Sequence, residues 1–224
     1  MDLLLFSARE SKAMISPAYA AWLCNAIYSP VTPDVFSDVQ NFDAVTVGVS
    51  MANGMTCITF AGSESGLDWL RDFEAVPFAH PQLGTIHEGF WQGMEAAFGC
   101  VRYLLKTSGP IAIQGHSLGC AHASILAGLC AVNGIPVDQL TLFAPPRVGY
   151  IRFVELVQAH VKKVLPVRNG IDPVPGVPVE LPDMPWRQFD GMVRVKQWPK
   201  WYLAWDPARW HSIGLYLKAA PTNI

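Results

Sequence analysis

The chain has 224 residues, enough for one domain with a sizeable core and cramped for two. Hydrophobic residues make up 51%, charged residues 15%, and the formal net charge is -2, which excludes a disordered chain and leaves no basic footprint for nucleic acid. No apolar run reaches the roughly 18 residues of a membrane span, so no integral membrane segment is expected.

The opening "MDLLLF" has an apolar run too short for a signal-peptide core and carries Asp2 where a positive region would stand. A cytoplasmic location is the expectation, with signal-independent export as the other route. Cys24, Cys57, Cys100, Cys120 and Cys130 are odd in number and scattered, without the close spacing of a zinc or redox motif, and read as reduced core cysteines, which favours a reducing compartment.

Residues from about 10 to 28 have helical spacing, broken by the prolines of "SPVTPD". "AVTVGVS" and "TCITFAG" are β-branched runs, and the Asn53-Gly54 pair between them predicts a hairpin. A helix is predicted from Gly89 to about Lys106, then a strand at "IAIQG", a helix from Leu118, a strand at "QLTLFAP" and a helix over Ile151 to Ala159. Strands at "VKKVLPV" and "MVRVKQW" flank a proline-rich loop, and a last helix begins at His211. This alternation implies an α/β fold with a mixed, mostly parallel sheet covered on both faces.

The stretch "IAIQGHSLGC" places Ser117 between Gly115 and Gly119 where a strand turns into a helix. Such a turn lifts a serine hydroxyl above the carboxyl edge of the sheet, and the Leu118 amide in the first helical turn points into the same space as half of an oxyanion hole. The alternative is a glycine-rich turn whose serine only caps a helix. A nucleophilic serine needs a histidine base, and the base needs a carboxylate. Of the histidines well beyond the turn, His160 ends a helix before a strand, at the wrong edge of a parallel sheet, whereas His211 follows a long loop. Asp172 lies just past a strand in a loop stiffened by Pro173, Pro175 and Pro178, and is favoured over Asp183, Asp190 and Asp206, which chain order alone does not exclude.

"TFAGSESGLDWLRDFEAVPF", "GTIHEGFWQGM", "GHSLG", "APPRVG", "RNGIDPVPGVP" and "HSIGLYL", in this order, resemble the class 3 lipases, the fungal-type triacylglycerol lipases and their bacterial relatives. The chain is similar to a short bacterial- or phage-type member. The resemblance implies an α/β-hydrolase domain over residues 1–224, with Ser117 as nucleophile, Asp172 as acid and His211 as base. It implies Ser63 as the second oxyanion donor beside Leu118, His116 as a structural residue of the Gly115–Gly119 elbow, and a lid at about residues 64–76 with Leu67, Trp69, Leu70 and Phe73 on or beside its apolar face. The bland reading of that segment is a helix packed permanently on the core. Cys120 and Ala61 depart from the family pattern, which has glycine and arginine there; Cys120 is expected to adjust packing without loss of chemistry.

The expected reaction is hydrolysis of a carboxylic ester, on acylglycerols or related lipids, through an acyl-enzyme and without cofactor or metal. Short-chain or aromatic esters and phospholipids are the alternative substrates, and a non-catalytic binding module that keeps the fold is the third reading. The expected partners are the ester substrate and a transient lipid interface. Trp186, Trp198, Trp201, Trp205 and Trp210 read either as an acyl wall or interface contact, or as filling over the core. His122 and the "HEG" at His87 to Gly89 read as packing and structure, not as catalysis or metal binding.

Overall fold

The computed structural model describes residues 14–29, 34–63, 74–107, 109–198 and 206–223. Its centre is a seven-stranded sheet formed by β1 (Asp38–Phe42), β2 (Val45–Ala52), β3 (Met55–Phe60), β6 (Ile111–His116), β7 (Val137–Phe143), β8 (Val161–Asn169) and β9 (Val193–Val195), neighbours in that order. β1, β2 and β3 pair antiparallel, and from β3 to β9 every pairing is parallel. The short strands β4 (Pro77–His80) and β5 (Gly84–His87) form a separate hairpin.

The two faces of the sheet are covered unequally. On one side lie α2 (Glu88–Trp91), α3 (Met94–Thr107), α4 (Leu118–Val132) and α5 (Ile151–His160); on the other lie α1 (Pro17–Ala26) and α6 (Ile213–Asn223). β3 and β6 are buried at every position, as strands sandwiched between helical layers must be. α4 is buried over nearly all its length, which explains why its sequence shows no polar stripe. With β6 and α4 both inside, the turn between them is fixed from all sides.

The expected hairpin forms at Asn53 and Gly54, whose φ values of 50° and 72° suit a tight two-residue turn. Other expectations were too coarse. Ser16 caps α1, its hydroxyl accepting from the Tyr19 amide at 3.1 Å with Pro17 at the first helical position, so the described helix begins later than the periodicity suggests. The helix expected from Gly89 to Lys106 is broken into α2 and α3 at Gly93, whose φ of 78° ends the first segment. β1 and the β4–β5 hairpin were not expected at all. α6 starts at Ile213, because His211 belongs to a 3-10 turn, Pro207–His211.

Candidate active site

Ser117 closes β6 and opens α4 with φ 58° and ψ -127°. Such a conformation costs a non-glycine residue about 1–3 kcal/mol, so the surroundings must impose it. They do: the Ser117 amide donates to the Phe143 carbonyl at 3.0 Å, and the Cys120 amide donates to the Ser117 carbonyl at 2.9 Å. A side chain at Gly115 would strike the Gly119 carbonyl, and one at Gly119 would strike the backbone of Phe60 and Ala61. Both glycines are therefore demanded by close approach of β3, β6 and α4. The Ser117 hydroxyl makes no capping bond to α4 and has no partner among the described residues. The helix-cap alternative thus lacks its hydrogen bond.

His211 and Asp172 are paired. The His211 Nδ1–H donates to both carboxylate oxygens, at 2.9 Å to Oδ2 and 3.1 Å to Oδ1. The Tyr216 hydroxyl donates to Oδ2 at 2.6 Å and the Val174 amide to Oδ1 at 3.0 Å. Burial alone would raise the Asp172 pKa, but these donors outweigh it and hold the carboxyl below its ordinary value. A charged carboxylate beside Nδ1 fixes the tautomer that leaves Nε2 as a bare lone pair. That Nε2 has no partner among the described residues. It opens, with Ser117, onto a cavity of about 440 Å³ that is also lined by Ser63, His116, Tyr28, Asn25, Asp206 and Arg209.

Ser63 follows Gly62, where a Cβ would come within 2.7 Å of the His116 carbonyl and 3.1 Å of the Ser117 Cβ. The strand end carrying Ser63 therefore lies against the elbow. The Leu118 amide is in the first turn of α4, where a helix offers no acceptor of its own. His116 is buried, its ring 4.7 Å from that of His211, and burial together with that neighbour pushes its pKa down to about 3. Cys120, where the family has glycine, places its thiol 3.1 Å from both the Gly115 and the Phe143 carbonyls. The extra side chain fills the space between β6 and β7 behind the serine.

Several supporting residues escaped the sequence reading. Tyr216 accepts from the Asn169 amide at 2.9 Å, while Asn169 holds the backbone of Gln197 and Trp210 and so ties the His211 turn to the end of β8. Arg147 of "APPRVG" donates to the Gly176 and Pro178 carbonyls at 2.6 and 2.7 Å, clamping the loop beyond Asp172. The only available signals were the tyrosine in "HSIGLYL", the asparagine before Asp172 and the arginine in its motif.

Other candidates lie elsewhere. Asp183 and Asp190 are exposed, and Asp206 pairs with Arg209 at 3.4 Å on the cavity rim. His160 donates to the Ile135 carbonyl at 2.7 Å, beside the start of β7 and so at the opposite edge of the sheet from Ser117. His87 donates to the Glu74 carbonyl at 2.8 Å and packs on Phe90 and Trp186. His122 is enclosed in the core beside Phe60. Trp186 and Trp210 are buried and Trp198 is exposed. Trp201, Trp205 and the lid residues Leu67, Trp69, Leu70 and Phe73 lie outside the described residues.

With this geometry in view, comparison with known proteins is decisive for the family: the class 3 lipase model matches residues 57–181, more than half of the chain. The chain belongs to the class 3 lipase family. A secreted mono- and diacylglycerol lipase of Penicillium cyclopium is 30% identical over 154 residues, covering 64% of this chain and 50% of the relative. One from Fusarium solani is 33% identical over 99 residues, covering 42% of this chain and 29% of the relative. The class 3 lipase chain thus spans half or less of the length of these curated relatives. Among solved structures, a fungal lipase has a TM-score of 0.65 at 20% identity, covering 80% of this chain and 78% of its own. Rhizomucor miehei triacylglyceride lipase has 0.61 at 23%, covering 72% of each chain. These likenesses show the α/β-hydrolase fold. The finer placement as a bacterial- or phage-type member is not carried by fungal relatives.

The cytoplasmic expectation needs correcting, because the curated relatives are named as secreted enzymes. The cysteine argument behind it was also weak. Cys24, Cys57, Cys120 and Cys130 are buried, and burial raises their thiol pKa values, so they resist oxidation in either compartment, whereas Cys100 is exposed on α3 and does not belong to the core as expected.

Proposed function

We propose that this chain is a single-domain carboxylic ester hydrolase acting outside the cell on acylglycerols, with mono- and diacylglycerols as its main substrates. The observation that carries the proposal is the unpartnered Ser117 hydroxyl on its strained elbow, facing the same cavity as a His211 whose Nδ1 is held by a buried carboxylate. Ser117 Oγ attacks the ester carbonyl while His211 Nε2 takes its proton. Asp172 stabilises the resulting imidazolium, and the amides of Ser63 and Leu118 receive the oxyanion. His211 then gives the proton to the departing alcohol. Water, deprotonated by the same nitrogen, attacks the acyl-serine and releases the acid.

The cavity rim supports a polar alcohol portion. Asn25, Asp206, Arg209 and Ser212 line it, with Ile213 as an apolar member. Asp206 balances the charge of Arg209, so the rim suits neutral hydroxyl groups, as on a partial glyceride, better than a phosphate. The relatives named above as mono- and diacylglycerol lipases point the same way. The test is to compare hydrolysis of mono-, di- and trioleoylglycerol, a phosphatidylcholine and a soluble butyrate ester by the purified protein. Faster turnover of the partial glycerides is expected. A preference for the phospholipid or for the short soluble ester would overturn the substrate assignment.

A further inference from the structure

Tyr28 lies two residues past the end of α1, and its hydroxyl sits between two parts of the site that come from distant stretches of chain. The Gly62 amide donates to that hydroxyl at 3.0 Å. The hydroxyl is 2.9 Å from His116 Nδ1, and His116 Nε2 is 2.8 Å from the backbone carbonyl of His211. The direction of each bond follows from what the end groups can do. A carbonyl only accepts, so His116 Nε2 carries the ring proton. Nδ1 is then the lone pair, because burial keeps the ring neutral, and Tyr28 must be its donor. Burial also pushes the Tyr28 pKa up, so the phenol retains the proton it donates.

The geometry points to Tyr28 as a positioning residue that ties the oxyanion strand to the catalytic base, through the single chain Gly62 N–H to Tyr28 O–H to His116 to the His211 carbonyl. One end fixes Gly62, the residue before the oxyanion donor Ser63. The other end fixes the main chain of His211, while the His116 ring stacks on the His211 ring at an interplanar angle of 29°. Oxyanion donors and base must be held in register with Ser117 between them, and errors of a few tenths of an ångström are costly there. Tyr28 also keeps the neighbour of the base uncharged: its donated proton leaves His116 Nδ1 no room for another. A second cation would oppose the imidazolium that His211 becomes in the reaction.

This inference rests on the reading of Ser117 and His211 as nucleophile and base. Its test is Tyr28→Phe, with Tyr19→Phe on the neighbouring helix α1 as control. Active sites are counted by titration with a fluorophosphonate, so that misfolded protein does not lower the rate per site. Per active site, Tyr28→Phe is expected to lose kcat by about tenfold to a hundredfold with KM nearly unchanged. The affinity for phenylboronic acid, which forms a tetrahedral adduct on the serine, should weaken in parallel; Tyr19→Phe should change neither. Per-site kcat and boronate affinity within twofold of the parent would overturn the role. Should Tyr28→Phe fail to fold, nitrogen NMR of ¹⁵N-histidine-labelled wild-type protein decides. His116 as the Nε2–H tautomer at neutral pH supports the chain of bonds, and a protonated Nδ1 refutes it. A wild-type protein inert on every ester would sink the proposed function, and the tautomer measurement would still judge the tie.

Discussion

Replacing Tyr216 by Phe removes one hydroxyl that serves two buried partners. It donates the 2.6 Å bond to Asp172 Oδ2 and accepts the Asn169 amide at 2.9 Å, all within the core beneath His211. A hydrogen bond to a charged group contributes about 1.5–3 kcal/mol, and stranding a buried amide costs about 1–3 kcal/mol. The two overlap, because one deletion causes both, and about 3 kcal/mol is the expected loss. For a chain of this size each kcal/mol moves Tm by about 2–4 °C, so a fall of about 6–12 °C is expected in calorimetry near neutral pH. The pH dependence supplies a second reading. Asp172 is held below the ordinary carboxylate value, so its stabilisation is complete above the unfolded pKa near 3.8 and is lost as pH falls through the lower folded value. Without the tyrosine donor the folded value rises, and acid unfolding should begin at a higher pH. A Tm within 2 °C of the parent with an unmoved acid transition would refute the reasoning that Tyr216 holds this carboxylate.

His122→Leu should flatten part of the acid limb of stability. Burial pushes the His122 ring down to about 4, and neither ring nitrogen has a partner among the described residues. The unfolded chain therefore takes up a proton below about 6.5 that the folded protein refuses until about 4. The parent should lose about 3 kcal/mol across that window as pH falls, and the leucine variant correspondingly less in urea titrations at pH 7 and pH 4.5. An identical pH slope in both proteins would count against a buried neutral histidine. Arg147→Ala should free the loop after Asp172 and lower kcat roughly tenfold to a hundredfold, because two carbonyls lose their clamp and the acid its rigid setting; steady-state kinetics checks this, and an unchanged kcat would show that the loop holds itself.

The central strands were legible because burial on both faces forces continuous β-branched runs, as in "TCITF" and "IAIQ". The Asn53-Gly54 hairpin was legible because few pairs tolerate two positive φ angles. β1 was not, since "DVQNF" is a half-exposed edge strand whose polar residues give no alternation. The break between α2 and α3 was hidden because a lone glycine inside an apolar pattern reads as a weak helix residue, while here Gly93 takes a φ of 78° at a place where any side chain would strike the Phe42 carbonyl. Within the site, Ser117 and His211 could be singled out as candidates by residue type and place in the chain, whereas order left Asp183, Asp190 and Asp206 open and Asp172 was favoured by its proline-stiffened loop just past a strand. Tyr28, Asn169, Tyr216 and Arg147 could not, because their roles are bonds to residues far away in sequence, 88 positions for Tyr28 and His116. A tyrosine near the end of a helix looks like any other until the tertiary structure brings its partner to it.

Ser117 as the nucleophile is the claim on which the account stands. Treating the protein with a fluorophosphonate and locating the adduct by mass spectrometry tests it most directly, with Ser117→Ala assayed on monooleoylglycerol alongside. One phosphonyl group on Ser117, complete loss of hydrolysis, and a fall in turnover on the order of a millionfold in the alanine variant are predicted. An adduct on another residue, or hydrolysis retained in Ser117→Ala, would contradict the account.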